Sequence, residues 1–173
     1  MRGNIVTITE AVRFLDESII DKRTGLPDDI FYFISRTTPM VNVDLLIRDE
    51  NGRTLLSWRD DEYCAKGWHI PGGIVRYMET FEQRIQKTAE RELGIGVSFD
   101  PAPLSIEEII LPELKNRGHF ISFLYKCSVP KNYALNNNGK SPDVPGYLMW
   151  HDECPGNLIK VHERYRKFIT HYR

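Results

Sequence analysis

The run Gly67-Trp68-His69-Ile70-Pro71-Gly72-Gly73 passes from a strand-like stretch into a Pro-Gly-Gly turn. From about Thr80 to Leu93 a helix follows, and Gly94 stands just past its end. A strand that feeds a glycine turn and then a helix points to a mixed α/β domain with layers of both kinds of element. The flanking sequence agrees. Val41, Val43, Leu45 and Ile47 alternate with Asn42, Asp44, Leu46 and Arg48, the pattern of a half-buried strand. Asn51-Gly52 suits a tight turn, and Thr54 to Trp58 returns as the hairpin partner. Ile106–Leu111, Phe120–Cys127 and Tyr147–Trp150 also read as strands, and Asn132 to Pro145 as a loop rich in Asn, Gly, Pro and Ser.

At the N-terminus, Ile8, Val12, Leu15 and Ile19 make one apolar helical face, with Thr7 and Glu10 at capping-box spacing. Lys22 and Arg23 suit the end of this helix, and Gly25 its left-handed exit. The face predicts packing on the domain or on a second subunit, which would make a homodimer. Leu26 to Asp29 reads as a short connection. A last helix is expected from about Leu158, with Leu158, Val161, Tyr165, Phe168 and Tyr172 on one stripe. The reading is therefore an N-terminal helical extension over residues 1–29 and one α/β (α+β) domain over 30–173.

Charge narrows the function. With 23 Lys+Arg against 24 Asp+Glu, the chain of 173 residues lacks the global basic field that would hold nucleic acid or an anionic bilayer. No apolar run approaches the roughly 20 residues of a membrane span. The polar N-terminus argues against a secretory leader, and Cys64, Cys127 and Cys154 lack metal-type spacing, so a cytoplasmic protein with reduced thiols is expected. Cys64, read as lying in an acidic loop, is not a nucleophile.

The two glycines let backbone come close to a ligand or metal. Glu92 lies in the last turn of its helix, where the dipole disfavours a carboxylate unless a cation or donor compensates, so it reads as a hard-metal ligand beside a loop carbonyl. Taken alone, Pro-Gly-Gly reads first as an ordinary glycine turn with solvated helix charges. The longer spacing is more specific. Gly73, Glu79, Glu92, Gly94 and Ile95 match the pattern G-x5-E-x7-R-E-U-x-E-E-x-G-U (U, a bulky aliphatic), with Lys87 at its arginine. This resembles the box of the Nudix hydrolases, and implies their α/β/α sandwich, a mixed sheet between helices, here with an extra N-terminal helix. Thr88 and Arg91 replace two of the box's metal-binding glutamates, and Arg91 would repel a second divalent cation.

Such erosion resembles the GDP-mannose mannosyl hydrolase branch. Thr38-Pro39-Met40-Val41-Asn42-Val43-Asp44 is similar to its T-P-L-V-S-L-D, and Leu55-Leu56-Ser57-Trp58-Arg59 to its L-L-G-K-R. The resemblance implies Mg²⁺ held by the Gly72 carbonyl and Glu92, Arg59 as a catalytic arginine, Asp44 on the substrate side, and Lys87 at a substrate-binding box arginine. Arg76 is a candidate phosphate binder where the branch has an arginine in place of Ile74, and Tyr77, Trp68 and Trp150 are candidates to stack on a base. Glu79 is expected to order the loop before the helix. The branch's Gln-His pair is absent from the loop at 138–146, leaving Asp143 and His119 as candidate bases. His69 reads as a packed strand residue. The implied activity is Mg-dependent hydrolysis of a nucleoside-diphosphate sugar to nucleoside diphosphate and sugar. Pyrophosphohydrolysis at phosphorus and a non-catalytic nucleotide-sugar-binding module are the alternatives.

Overall fold

The computed structural model describes residues 6–61 and 64–169. Two helices lead, α1 (Ile8–Ser18) and α2 (Asp28–Ser35). Strands β1 (Met40–Arg48), β2 (Thr54–Asp61), β3 (Cys64–His69) and β4 (Gly72–Ile74) come next, then α3 (Phe81–Leu93). Strands β5 (Ser98–Phe99), β6 (Ser105–Ile110), β7 (His119–Ser128) and β8 (Leu148–His151) precede a 3₁₀-helix, Lys160–Tyr165, and α4 (Arg166–Ile169).

All the strands join one mixed sheet, with β3-β2-β1-β7-β5 as its path. At its centre β1 runs parallel to β7, from Met40 opposite Phe120 to Arg48 opposite Ser128. Its other edge is divided. Near the hairpin Arg48 faces Thr54 of β2, whereas farther back Asn42, Val43 and Asp44 face Ile74, Gly73 and Gly72 of β4. The Pro-Gly-Gly segment is thus a short strand laid along β1, which brings Gly72 beside Asp44.

Both faces of the sheet are covered. Val43, Leu45, Ile47 and Tyr125 pack with Ile85, Ala89 and Leu93 of α3. On the other face Leu46, Leu56, Trp68 and Leu124 pack with Leu158, Tyr165 and Ile169. β1 is consequently buried on both sides rather than half-buried, because Leu46 and Asp44 lie under the C-terminal layer. The α/β/α sandwich with a mixed sheet stands as expected.

α3 is capped at both ends. The Thr80 hydroxyl accepts from the Gln83 amide, the Gln83 side chain accepts from the Thr80 amide, and Gly94 exits with φ of 77°. The Thr7–Glu10 box also forms. Other expectations need correction. α1 stops at Ser18, short of Ile19, and none of its residues is buried; on its apolar face Ile8 and Val12 are exposed and Leu15 half-covered, so it is not packed into the domain core. The connection read over Leu26 to Asp29 ends early, because α2 begins at Asp28, with Asp28 and Asp29 at its positive end and Ile30 buried. Cys64 lies in a strand rather than a loop. The C-terminal helix begins late and as 3₁₀, because backbone bonds between Trp68 and both Asn157 and Ile159 hold that stretch extended. Tyr172 lies outside the described residues. Cys127 and Cys154 are unpaired, and no helix among the described residues is long and apolar enough to cross a membrane.

Candidate active site

Asp44 sits where β1 leaves β2 for β4, and it is almost wholly buried. Its Oδ2 accepts from the Ser122 hydroxyl at 2.5 Å and the Tyr165 hydroxyl at 2.9 Å, and its Oδ1 from the Asn42 amide at 2.9 Å. Burial pushes its pKa up, against the pull of those donors. It is the partnered buried carboxylate that a charge in an apolar strand requires. Gly72 has to be glycine because a Cβ there would collide with Asp44 Oδ1, while one on Gly73 would lie 2.5 Å from the Thr88 hydroxyl. The close approach these glycines allow is therefore made to the protein's own side chains.

Two histidines flank Asp44. His162 Nδ1 accepts from the Ile70 amide at 3.0 Å, so its proton is on Nε2, 4.0 Å from Asp44 Oδ1. His69 Nδ1 lies 2.8 Å from the Ser57 carbonyl, which can only accept, so Nδ1 carries the proton and Nε2 keeps its lone pair. Burial, reinforced by His162 and Arg59, lowers the His69 pKa to about 3. Burial, with Arg59 and Arg164, does the same for His162, also to about 3. Both rings are neutral at pH 7.

A cleft of about 840 Å³ opens over this group. Its polar wall carries Arg59, Arg76, Arg84 and Arg91, with Asp44 and His69 at the back. Its apolar wall includes Phe31 and Ile34 of α2. Arg59 pairs with Asp61 at 2.5 Å, as a hairpin-edge arginine would, yet it also lines the cleft. The Arg76 side chain has no carboxylate partner among the described residues, and Tyr77 stands exposed on the rim.

Glu79 does order the loop. It accepts from the Arg76 amide at 3.0 Å, from Arg84 at 2.6 Å and from Lys87 at 3.0 Å. Burial pushes its pKa up, but these donors outweigh burial and hold it below the ordinary carboxylate range. Lys87 is therefore tied to Glu79 and does not line the cleft.

The Gly72 carbonyl and Glu92 do come together, but through Arg91. Its Nη2 donates to Gly72 O at 3.1 Å and to Glu92 Oε1 at 2.8 Å. Glu92 is mostly buried, and burial raises its pKa against the pull of Arg91. Nudix hydrolases typically use a divalent metal. Here the two ligands the resemblance implies for Mg²⁺ already hold a cation, and among the described residues no group of three or more His, Cys, Asp or Glu could hold a metal. The residues as arranged do not fit the metal.

The remaining candidates lie elsewhere. Asp143 is exposed and bonds Ser141, which lowers its pKa; it does not line the cleft. His119 opens a separate, smaller depression, 3.7 Å from Glu108. Trp68 is buried against Trp58 and His151, and Trp150 lies under Arg53. Sequence reasoning missed Arg84 and His162, and gave His69 a packing role only. His69 had one signal, its place directly before Ile70-Pro71-Gly72; His162 had none, since 92 residues separate it from its partner Ile70.

The chain is 39% identical over 77 residues to the low-salt glycan biosynthesis protein Agl8 of Haloferax volcanii, a match that takes in 44% of this chain and 49% of that protein. It thus spans about half the length of that relative. Among solved structures, the MutT NUDIX hydrolase of Burkholderia pseudomallei superposes with a TM-score of 0.58 at 22% identity, over 77% of this chain and 99% of the other. A UDP-X diphosphatase superposes with a TM-score of 0.54 at 16% identity, over 91% of this chain and 75% of the other. These last two likenesses show the fold. The family model of the NUDIX domain matches residues 38–172, from β1 through the Pro-Gly-Gly strand, α3 and the C-terminal layer, and by that match the chain belongs to the NUDIX domain family.

Proposed function

We propose that the protein hydrolyses a nucleoside-diphosphate sugar, GDP-mannose or a relative, by attack of water at the sugar carbon. The observation that carries this is a cleft lined by Arg59, Arg76 and Arg91 together with His69, a neutral imidazole that offers an unprotonated Nε2. Displacement at carbon asks two things of the protein: neutralisation of the departing diphosphate, and acceptance of a proton from water. Arg59, Arg76 and Arg91 serve the first. His69 serves the second, in place of Asp143 and His119, which stand away from the cleft. The water oxygen bonds to the sugar carbon, the bond from that carbon to the diphosphate breaks, and the proton passes to His69 Nε2, whose basicity the anionic diphosphate raises by offsetting the nearby Arg59 charge. Asp44 and Ser57 orient the imidazoles. Displacement at phosphorus would draw more on a metal to polarise the attacked phosphoryl group, and the Arg91 contacts disfavour it. The name of the Haloferax volcanii relative supports a sugar substrate, since nucleotide sugars are common glycosyl donors in glycan biosynthesis.

A product-resolved screen of nucleotide sugars in ¹⁸O-labelled water tests the reading. Label in the released sugar is the expected result. Label in phosphate would replace it with pyrophosphohydrolysis, and tight binding without turnover would replace it with a binding module. His69→Gln should slow turnover about 10²-fold, the scale of losing a general base; unchanged turnover would remove His69 from that role.

A further inference from the structure

We infer that Arg91 is the resident cation of this site, occupying the position between the Gly72 carbonyl and the Glu92 carboxylate and competing there with any divalent ion. One guanidinium nitrogen bridges the two oxygens, at 3.1 and 2.8 Å. The remaining donors of Arg91 have no partner among the described residues, and the side chain lines the cleft.

The surrounding charge is set for one positive charge and no more. Along this face of α3, Thr88 is neutral, its hydroxyl is buried and unpartnered, and Glu92 is the carboxylate that Arg91 neutralises. Asp44, the nearest other acid of the cleft, already accepts from Asn42, Ser122 and Tyr165. A hard dication binds through several charged oxygens. To enter here it would have to displace Arg91 and then sit beside a guanidinium with a single free carboxylate, where like charges repel. For an anionic ligand the arrangement works the other way. The fixed bridge holds the guanidinium at the cleft wall, and its open donors face the diphosphate invoked above. The substrate assignment rests on the proposed hydrolysis; the competition with metal does not.

Calorimetric titration of Mn²⁺ into the folded protein tests this without reference to turnover. Arg91 is 56% exposed, so Arg91→Gln should keep the fold, which circular dichroism verifies. The expected result is that Arg91→Gln binds Mn²⁺ about tenfold or more tightly than wild type, the scale of removing one adjacent charge. In the Arg91→Gln/Glu92→Gln double variant that gain should vanish, because the freed carboxylate is what the ion takes. Equal or tighter binding by wild type, or a gain that survives loss of Glu92, would overturn the inference. Should no variant hydrolyse a nucleotide sugar while the gain in Mn²⁺ affinity stands, the functional reading fails and the resident-cation reading holds.

Discussion

His69 and His162 lie on either side of Asp44, and each keeps its ring neutral because burial penalises the charged form. In the unfolded chain both imidazoles titrate near 6.5, whereas in the folded protein they do so at about 3. Between those values the unfolded state binds protons that the folded state refuses, so stability is lost as pH falls from 6.5 toward 3. Each refused proton steepens the loss by about 1.4 kcal/mol per pH unit. The raised pKa values of Asp44 and Glu92 act in the opposite sense at the acidic end, since those folded carboxyls take up protons earlier than their unfolded counterparts. Urea unfolding of wild type from pH 7 to 5 should therefore show declining stability, and His162→Gln a shallower decline. A wild-type stability that is flat over that range would show that the rings protonate in the fold.

At the scale of elements, α1 and α3 have similar patterns of apolar spacing and opposite energetic weight. α3 buries Ile85, Ala89 and Leu93 against the sheet, and Ile85 is wholly inaccessible. α1 leaves Ile8, Val12 and Phe14 exposed. Ile85→Ala should cost about 2–5 kcal/mol, from lost burial and the cavity left behind. Phe14→Ala should change stability by no more than about 0.5 kcal/mol. Thermal melts at low protein concentration compare the two directly; a large loss from Phe14→Ala would mean that α1 is packed on something.

For the whole molecule, the cleft is assembled from distant parts of the chain. Gly25 and Leu26, with Phe31 and Ile34 of α2, line the cleft, Gly25 close against the Arg76 guanidinium, although they precede the segment that matches the family. The division into an extension over 1–29 and a domain from 30 thus cuts through one wall of the site. Phe31 is half-buried and lines the cleft, so Phe31→Ala should raise KM roughly tenfold, the scale of losing part of one apolar contact, with kcat little changed. A change in kcat alone would place Phe31 among groups that act in the chemical step instead.

Patterns carried by near neighbours were open to reading from the residues. The existence of strand β1, the hairpin at Asn51-Gly52, the extent of α3 and the ordering of its entrance by Glu79 all depend on spacings of two to five residues, and local sterics and hydrogen bonding enforce them. The approach of Glu92 to Gly72 was legible through the longer box. What lies between them was not: an arginine beside a glutamate reads as a solvated pair until the sheet brings a carbonyl from 19 residues away within its reach. The Asp44 cluster shows the same limit. Its hydroxyl donors come from 78 and 121 residues along the chain, and they meet only because β7 pairs with β1 and the C-terminal layer closes over both. Periodicity encodes which face an element buries; it carries no record of which distant side chain that face will meet. That is settled by packing, where charge, volume and hydrogen-bond demand are satisfied together across the whole core.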